Sequence, residues 1–413
     1  MLVPVLLAAL LTTACGGAAG PAGSDSLTGP GSKDAGSTVD ARVVRAETAF
    51  SFDLLNAIRS EKPGENLFIS PASVTLALGM TANGAVGETQ KAMAKALSLD
   101  GIPMADVNAA NGALQSVLAN PDPKVELSIA NSIWYKKGLT VNPTFLEATR
   151  SHYRAEVAPV AFGADEATSA INNWVSKATR QKIKTIVDRT ESDDRMYLIN
   201  AIYFNGKWKE PFKKEQTQPR DFHLAGGKTV QHPMMVQNGR YRYLKGENFQ
   251  GVALPYGEGR VNLYVLLPNE GVSLDQFAGS ITADRWSEWM GKFTAKPGSI
   301  TLPKLKLEAK YELIPAMTSL GMGPAFGDGA DFSNLFTGIK EDLAIGFILH
   351  KTYLDMNEEG TEAAAVTAVG VVATSAPAPE ERFDMVVDRP YLMAIRDDQT
   401  GTILFLGAVY KPQ

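Results

Sequence analysis

A single cysteine, Cys15, in a chain of 413 residues leaves no partner for an internal disulfide, so folded stability has to come from packing. Histidine is scarce as well: His152, His223, His232 and His350 are scattered without a ligand spacing such as H-x-x-x-H, which argues against a metal centre. The GDGADF tract at 327–332 offers Asp328 and Asp331 but lacks the alternating oxygen ligands and closing glutamate of a calcium loop. No G-x-S-x-G, phosphate loop or dinucleotide fingerprint is present, so neither enzymatic chemistry nor a cofactor is expected. Lys and Arg (40) nearly balance Asp and Glu (45), and no basic run is interleaved with aromatics; nucleic acid is a poor fit.

Long apolar runs are also missing. MLVPVLLAALL with TTAC makes residues 1–15 the length of an export signal, short of the ~20 residues that span a membrane. The usual positive n-region is absent, so either the true start lies upstream or the N-terminal amine serves instead. LTTACGG resembles a bacterial lipobox whose cysteine, Cys15, becomes lipidated, although Leu11 stands four residues before it where three is usual; an ordinary export signal is the alternative. Residues 16–40, rich in Gly, Ser and Pro, cannot collapse into a core and read as a flexible tether. The expected folded unit is 41–413.

Within that unit the first third reads as helical: VVRAETAFSFDLLNAI has helical apolar spacing, Ser70 and Pro71 suit a helix start, and 106–118 repeats the pattern. Strand signals then dominate in VELSIANSIWYKKG, MYLINAIYFNGKW, GVALPYGEGRVNLYVLLPNE and FDMVVDRPYLMAIRDDQTGTILFLGAVYKP, where RPYLMAIRD and GTILFLGAVY predict a hairpin. EATSAINNWVSKATRQKI and ELIPAMTSLG read as intervening helices. The expectation is an α+β fold with large antiparallel sheets.

One stretch, NEEGTEAAAVTAVGVV at 357–372, fits none of this chemistry. Gly360 opens backbone angles closed to other residues, and the small side chains that follow could slide between strands. With period two, Thr361, Ala363, Ala365, Thr367 and Val369 share one face, and Glu362, Ala364, Val366 and Ala368 the other. A plain surface helix or loop is the alternative.

That stretch, together with NLFISPASVTLALGMTANGAVGETQKAMAKAL, LINAIYFNGKWKEPF, HPMM, ALPYGEGRVNLYVLLP, ITLPKLKLE and DRPYLMAIRDDQTGTILFLGAVYKP, resembles the serpin family across nearly all of residues 43–413. The resemblance implies a metastable fold with a large central, mostly antiparallel sheet, further sheets, eight or nine helices and an exposed reactive-centre loop at about 358–382. It implies no catalysis and an irreversible mechanism in which a serine protease cuts the loop, is held as the acyl-enzyme, and is trapped when the loop inserts into the main sheet. A non-inhibitory binding or carrier serpin is the alternative. The protease would be the covalent partner of a monomeric chain.

Carried over residue by residue, the hinge is Glu359, Gly360, Thr361, Glu362, Ala363, Ala364, Ala365, Val366 and Thr367. Ser70, Ser73, Asn200 and His350 match the shutter beneath the opening sheet, and Trp208, Lys304 and Glu358 the breach where the loop enters. Counting from Gly360 places the reactive bond at Thr374–Ser375, with Ala373–Thr374 and Ser375–Ala376 close behind; counting back from DRPY moves it toward Pro379. Small uncharged residues there suit elastase-like or subtilisin-like proteases. Two departures stand out: Pro315 near an expected helix start, tolerable in a first turn, and Val366 where many hinges carry alanine. The export signal and Cys15 imply a chain outside the cytoplasm, secreted or lipid-anchored to the envelope.

Overall fold

The computed structural model describes residues 39–338, 343–361 and 380–413. Among these lie helices α1 (Ala41–Glu61), α2 (Pro71–Ala82), α3 (Gly87–Ala96), α4 (Met104–Leu118), α5 (Pro143–Tyr153), α6 (Asp165–Ala178), α7 (Leu274–Gly279), α8 (Ala283–Lys292) and α9 (Ile314–Met317). The strands are β1 (Leu67–Ile69), β2 (Val125–Lys136), β3 (Thr140–Val141), β4 (Glu156–Val160), β5 (Met196–Lys207), β6 (Gln218–His223), β7 (Thr229–Lys245), β8 (Phe249–Pro255) and β9 (Val261–Pro268). They continue with β10 (Thr294–Pro303), β11 (Leu305–Glu312), β12 (Phe336–Thr337), β13 (Ile348–Asn357), β14 (Gly360–Thr361), β15 (Phe383–Val386), β16 (Tyr391–Asp397) and β17 (Ile403–Val409). The fold is α+β.

Local chemistry starts the helices where the sequence suggests. The Asp40 carboxylate accepts the Arg42 amide to cap α1, whose apolar stripe of Val43, Phe50, Leu54 and Ile58 is buried. Ser70 caps α2 by accepting from the Ser73 amide, and Pro71 occupies its first turn. Every residue of α2 is buried, which explains its lack of a polar face. The expected helix through RQKI stops earlier, at Ala178. Thr179 Oγ1 bridges the Val175 carbonyl and the Ile183 amide, and Arg180 and Gln181 adopt positive φ, reversing the chain. Pro315 does sit in the first turn of α9, after which the chain continues as a wide turn over Thr318–Met322 with Gly321 at φ 97°.

A nine-stranded sheet runs β1-β17-β16-β9-β8-β7-β10-β15, with β6 paired to β7; it contains the expected β16–β17 hairpin. A six-stranded sheet runs β11-β13-β14-β5-β2-β4, and β3 pairs with β12. On β5, Phe204 and Ile202 face an apolar layer shared with Tyr256, Leu263 and Phe405, while Tyr197, Ile199 and Ala201 face the opposite layer with Ile171 and Val175 of α6. Strand alternation therefore gives the six-stranded sheet two different faces, one toward the larger sheet and one beneath α6.

Candidate functional site: a slot in the six-stranded sheet

Strands β5 and β13 are parallel neighbours at one end only. Their direct ladder joins Ile348, Leu349, His350 and Lys351 to Leu198, Ile199, Asn200 and Ala201. Toward the other end β14 lies between them, with Thr361 opposite both Gly206 and Met356, and Gly360 opposite Lys207 and Asn357. Between the two sets of pairs lie Thr352, Tyr353, Leu354 and Asp355 on β13 and Ile202, Tyr203, Phe204 and Asn205 on β5. The site is thus a wedge: zipped below, and held open above by two residues of the hinge.

Backbone geometry decides what can occupy the wedge tip. Gly360 has φ 149°, and a Cβ there would stand 2.2 Å from the Gly206 carbonyl oxygen, so only glycine fits. Its neighbour Thr361 is 1% exposed, and its hydroxyl shares a 2.8 Å hydrogen bond with the Tyr256 hydroxyl. The turn leading in is tied to the segment after β5. Trp208 Nε1 donates to the Asn357 carbonyl at 2.8 Å, the Trp208 amide to the Glu359 carbonyl at 3.1 Å, and the Phe212 amide to the Glu358 carbonyl at 2.8 Å. Lys304 Nζ donates to Glu358 Oε2 at 2.9 Å and Lys214 Nζ to Glu359 Oε1 at 2.5 Å. Burial pushes the Glu358 carboxyl up, but the hydrogen bond from Lys304 and the other contacts outweigh it and hold the group below its ordinary value.

The zipped end is polar and buried. Ser70 Oγ donates to the Leu404 carbonyl at 2.6 Å, the Ser70 amide donates to His350 Nε2 at 3.0 Å, and Ser73 Oγ donates to Asn200 Oδ1. Asn200 Nδ2 in turn donates to Asn131 Oδ1 at 2.7 Å. Because His350 accepts at Nε2, its neutral ring carries the proton on Nδ1, which has no hydrogen-bond partner among the described residues; Asn131 Nδ2 has none there either. Burial pushes the His350 pKa down to about 4, keeping the ring neutral.

Ser70, Ser73, Asn200 and His350 are therefore brought into one cluster on adjacent elements, and Trp208, Lys304 and Glu358 into another around the wedge tip. Of the hinge, Glu359, Gly360 and Thr361 are described. Glu362, Ala363, Ala364, Ala365, Val366 and Thr367, together with Thr374, Ser375 and Cys15, lie outside the described residues. Sequence reasoning missed Tyr256, Asn131 and Lys214. Asn131 had a signal: it shares the parity of the inward residues Val125, Leu127 and Ile133 of β2, so a polar side chain there has to be buried.

Against known proteins, a family model described as serpin (serine protease inhibitor) matches residues 45–412. The leukocyte elastase inhibitor of Sus scrofa is 33% identical over 386 residues, covering 89% of this chain and 98% of that protein. Among solved structures, the native state of the thermophilic serpin tengpin aligns with a TM-score of 0.83 at 33% identity, covering 90% of this chain and 95% of the other. Human thyroxine-binding globulin in complex with its ligand aligns at 0.82 and 28% identity, covering 90% and 98%.

Proposed function

The chain belongs to the serpin family, described as serine protease inhibitors, and from that premise we propose that it is an inhibitory, suicide-substrate member. The loop after β14 is bait for a serine protease. The protease serine attacks the Thr374 carbonyl, the peptide bond to Ser375 breaks, and the amine of Ser375 leaves while the ester holds the enzyme. Insertion of the cut loop between β5 and β13 then deforms the protease before water reaches the ester. The observation carrying this reading is the wedge itself, because two hinge residues already stand where an inserted strand would begin.

Continued in the register that Gly360 and Thr361 set, the cut loop would carry Glu362 to Ala365 past Asn205 to Ile202. Val366 would be the first residue to part an existing pair, Lys351 with Ala201, and Thr367 would arrive between His350 and Asn200. The odd-numbered residues would face the larger sheet with Thr361, and Val366 would face the α6 side, beside Ala201. A valine there would suit an apolar layer. In this reading Trp208, Lys304 and Glu358 guard the wedge tip, and Ser70, Ser73, Asn200 and His350 hold the ladder that must open.

The small residues Ala373, Thr374 and Ser375 suit an elastase-like or subtilisin-like target, in keeping with the similarity to a leukocyte elastase inhibitor. Incubation with pancreatic elastase is expected to give an SDS-resistant complex and a released C-terminal fragment whose mass places the bond after Thr374. Cleavage without a complex would favour the carrier reading that the likeness to thyroxine-binding globulin suggests; release after Arg382 would overturn both the register and the target class. We further propose that the chain is an envelope protein of bacterial type, anchored through lipidated Cys15 by the tether 16–40. Replacing Cys15 with Ser should move it from the membrane to the soluble or unprocessed fraction, and an unchanged membrane fraction would refute the anchor.

A further inference from the structure

Tyr256 follows the last residue of β8 and belongs to neither wall of the wedge, yet its phenol ends there. The residue is fully buried; its ring stacks on Trp208 with centroids 4.3 Å apart and meets the edge of Phe204 at 5.1 Å. Gly206 makes room for it, since a Cβ on that strand residue would stand 2.8 Å from both Tyr256 Cδ1 and Phe204 Cζ. The ring thus occupies the space of the missing side chain and delivers its hydroxyl to Thr361, the residue that pairs with Gly206. Burial also pushes the phenol well above its ordinary range, so it stays protonated and can donate.

We propose that Tyr256 is a positioning residue for loop insertion, seating Thr361 through the hydroxyl pair and so keeping the hinge docked between β5 and β13 before any protease has cut the loop. The proposal rests on the insertion reading above. If the hinge leaves, the Tyr256 hydroxyl, whose ring is set against Trp208 and Phe204, loses the partner it has among the described residues, an outcome that costs more than losing one in water would. The docked arrangement is favoured by roughly the factor a buried neutral hydrogen bond carries, about fivefold. After cleavage, insertion then begins from a foothold already in register, and none of the interval before ester hydrolysis is spent finding it. The aromatic stack fixes where the hydroxyl points, which is why the seat belongs to a residue outside the two strands.

The test uses the full chain with Y256F, T361V, their double variant and T361S. Hydrogen–deuterium exchange by mass spectrometry, with no protease present, reads peptides covering 202–208 and 356–361. Y256F and T361V are each expected to speed exchange there about fivefold, the double variant no more than either alone, and T361S to behave as wild type. With pancreatic elastase, each hydroxyl deletion is expected to raise the fraction of chain cut without forming a complex, and T361S to restore trapping. Additive effects of the two deletions, or exchange unchanged in both, would overturn the seat. Should Y256F fold poorly, T361V against T361S carries the comparison alone. A wild-type chain that forms no SDS-resistant complex, while the exchange data still show non-additivity, would refute the inhibitory reading and with it the role in insertion, leaving only the hydroxyl contact; complexes with additive exchange would refute the seat and spare that reading.

Discussion

Thr361→Arg tests the wedge at its most constrained point. Thr361 is 1% exposed, its hydroxyl faces Tyr256, and the nearby carboxylates are engaged, Glu358 with Lys304 and Glu359 with Lys214. An arginine held in place would bury a guanidinium without a counter-charge, a penalty of roughly several kcal/mol. Against it stand only the ladder bonds of two residues, each worth about 1 kcal/mol net, because the substitution removes the hydroxyl that pairs with Tyr256. The burial penalty is the larger, and undocking lets the arginine reach water while the core keeps its contacts. The intact variant is therefore expected to fold with a melting temperature near wild type but with the hinge outside the sheet. Incubation with elastase followed by SDS gel electrophoresis should show cleavage persisting and the complex band falling away. The cleaved variant should also lack the rise in melting temperature expected of the cleaved wild type if its loop inserts. Undiminished complex formation would refute the assignment of Thr361 to the buried insertion face.

Removing the cation of the breach pair, Lys304→Met, leaves the largely buried Glu358 carboxylate unpaired; a loss of about 1–2 kcal/mol in urea unfolding is expected, kept small because the Lys304 side chain is 39% exposed. Because the folded Glu358 pKa lies below the ordinary 4.5, this contribution is present above pH 4.5 and is lost as pH falls through the lower folded value, so the variant and wild-type curves should converge in acid. His350 has the opposite charge type: its folded pKa of about 4 lies below the ordinary 6.5, so stability present above pH 6.5 is lost as pH falls toward 4. H350Q should lack that loss, of roughly 3 kcal/mol, and parallel acid curves would refute the buried neutral ring. Glu47 in α1 is buried with neither carboxylate oxygen partnered among the described residues, and burial raises its pKa to about 8 from 4.5. The folded state keeps a proton that the unfolded chain sheds, so stability is lost as pH rises from 4.5 to 8. E47Q should be more stable than wild type at pH 8 by a few kcal/mol, on the order of 4, with the gap closing below pH 4.5; a pH-independent gap would refute that account.

What the sequence disclosed depended on how local the cause was. The starts of α1 and α2 were legible because Asp40, Ser70 and Pro71 act within one turn. The β16–β17 hairpin was legible because its strands are chain neighbours. The long strand β7 was not singled out: Pro233, Gly239 and several polar residues break its alternation, and it holds because β6, β8 and β10 all pair with it. The end of α6 turned on a threonine hydroxyl competing with the next helical turn, which residue type alone does not reveal. At the site, the amide of Ser70 reaches His350 across 280 residues of chain and Tyr256 meets Thr361 across 105. No periodicity in one sequence contains such pairs; family resemblance supplied the first, and geometry supplied the second.

The two ends of the slot differ in a way that bears on the direction of insertion. At the tip, Trp208 Nε1, Glu358, Tyr256 and Thr361 all have partners that hold the docked hinge, and the one hinge atom buried without a partner among the described residues is an acceptor, Glu359 Oε2. At the zipped end the two buried groups without a partner among the described residues, His350 Nδ1 and Asn131 Nδ2, are both donors when the histidine is neutral. Unpaired buried donors raise the free energy of the intact arrangement by about 1–3 kcal/mol apiece. In the proposed register Thr367 is the residue that would arrive between His350 and Asn200, with a hydroxyl able to accept. Strand addition would then offer His350 a partner at the place where the β5–β13 ladder has to part, while the contacts at the tip would hold the hinge ready for it. On the proposed mechanism, a hinge held at the mouth by these contacts and unpaired donors at the base would let the intact chain persist and still give the cut loop a reason to run inward.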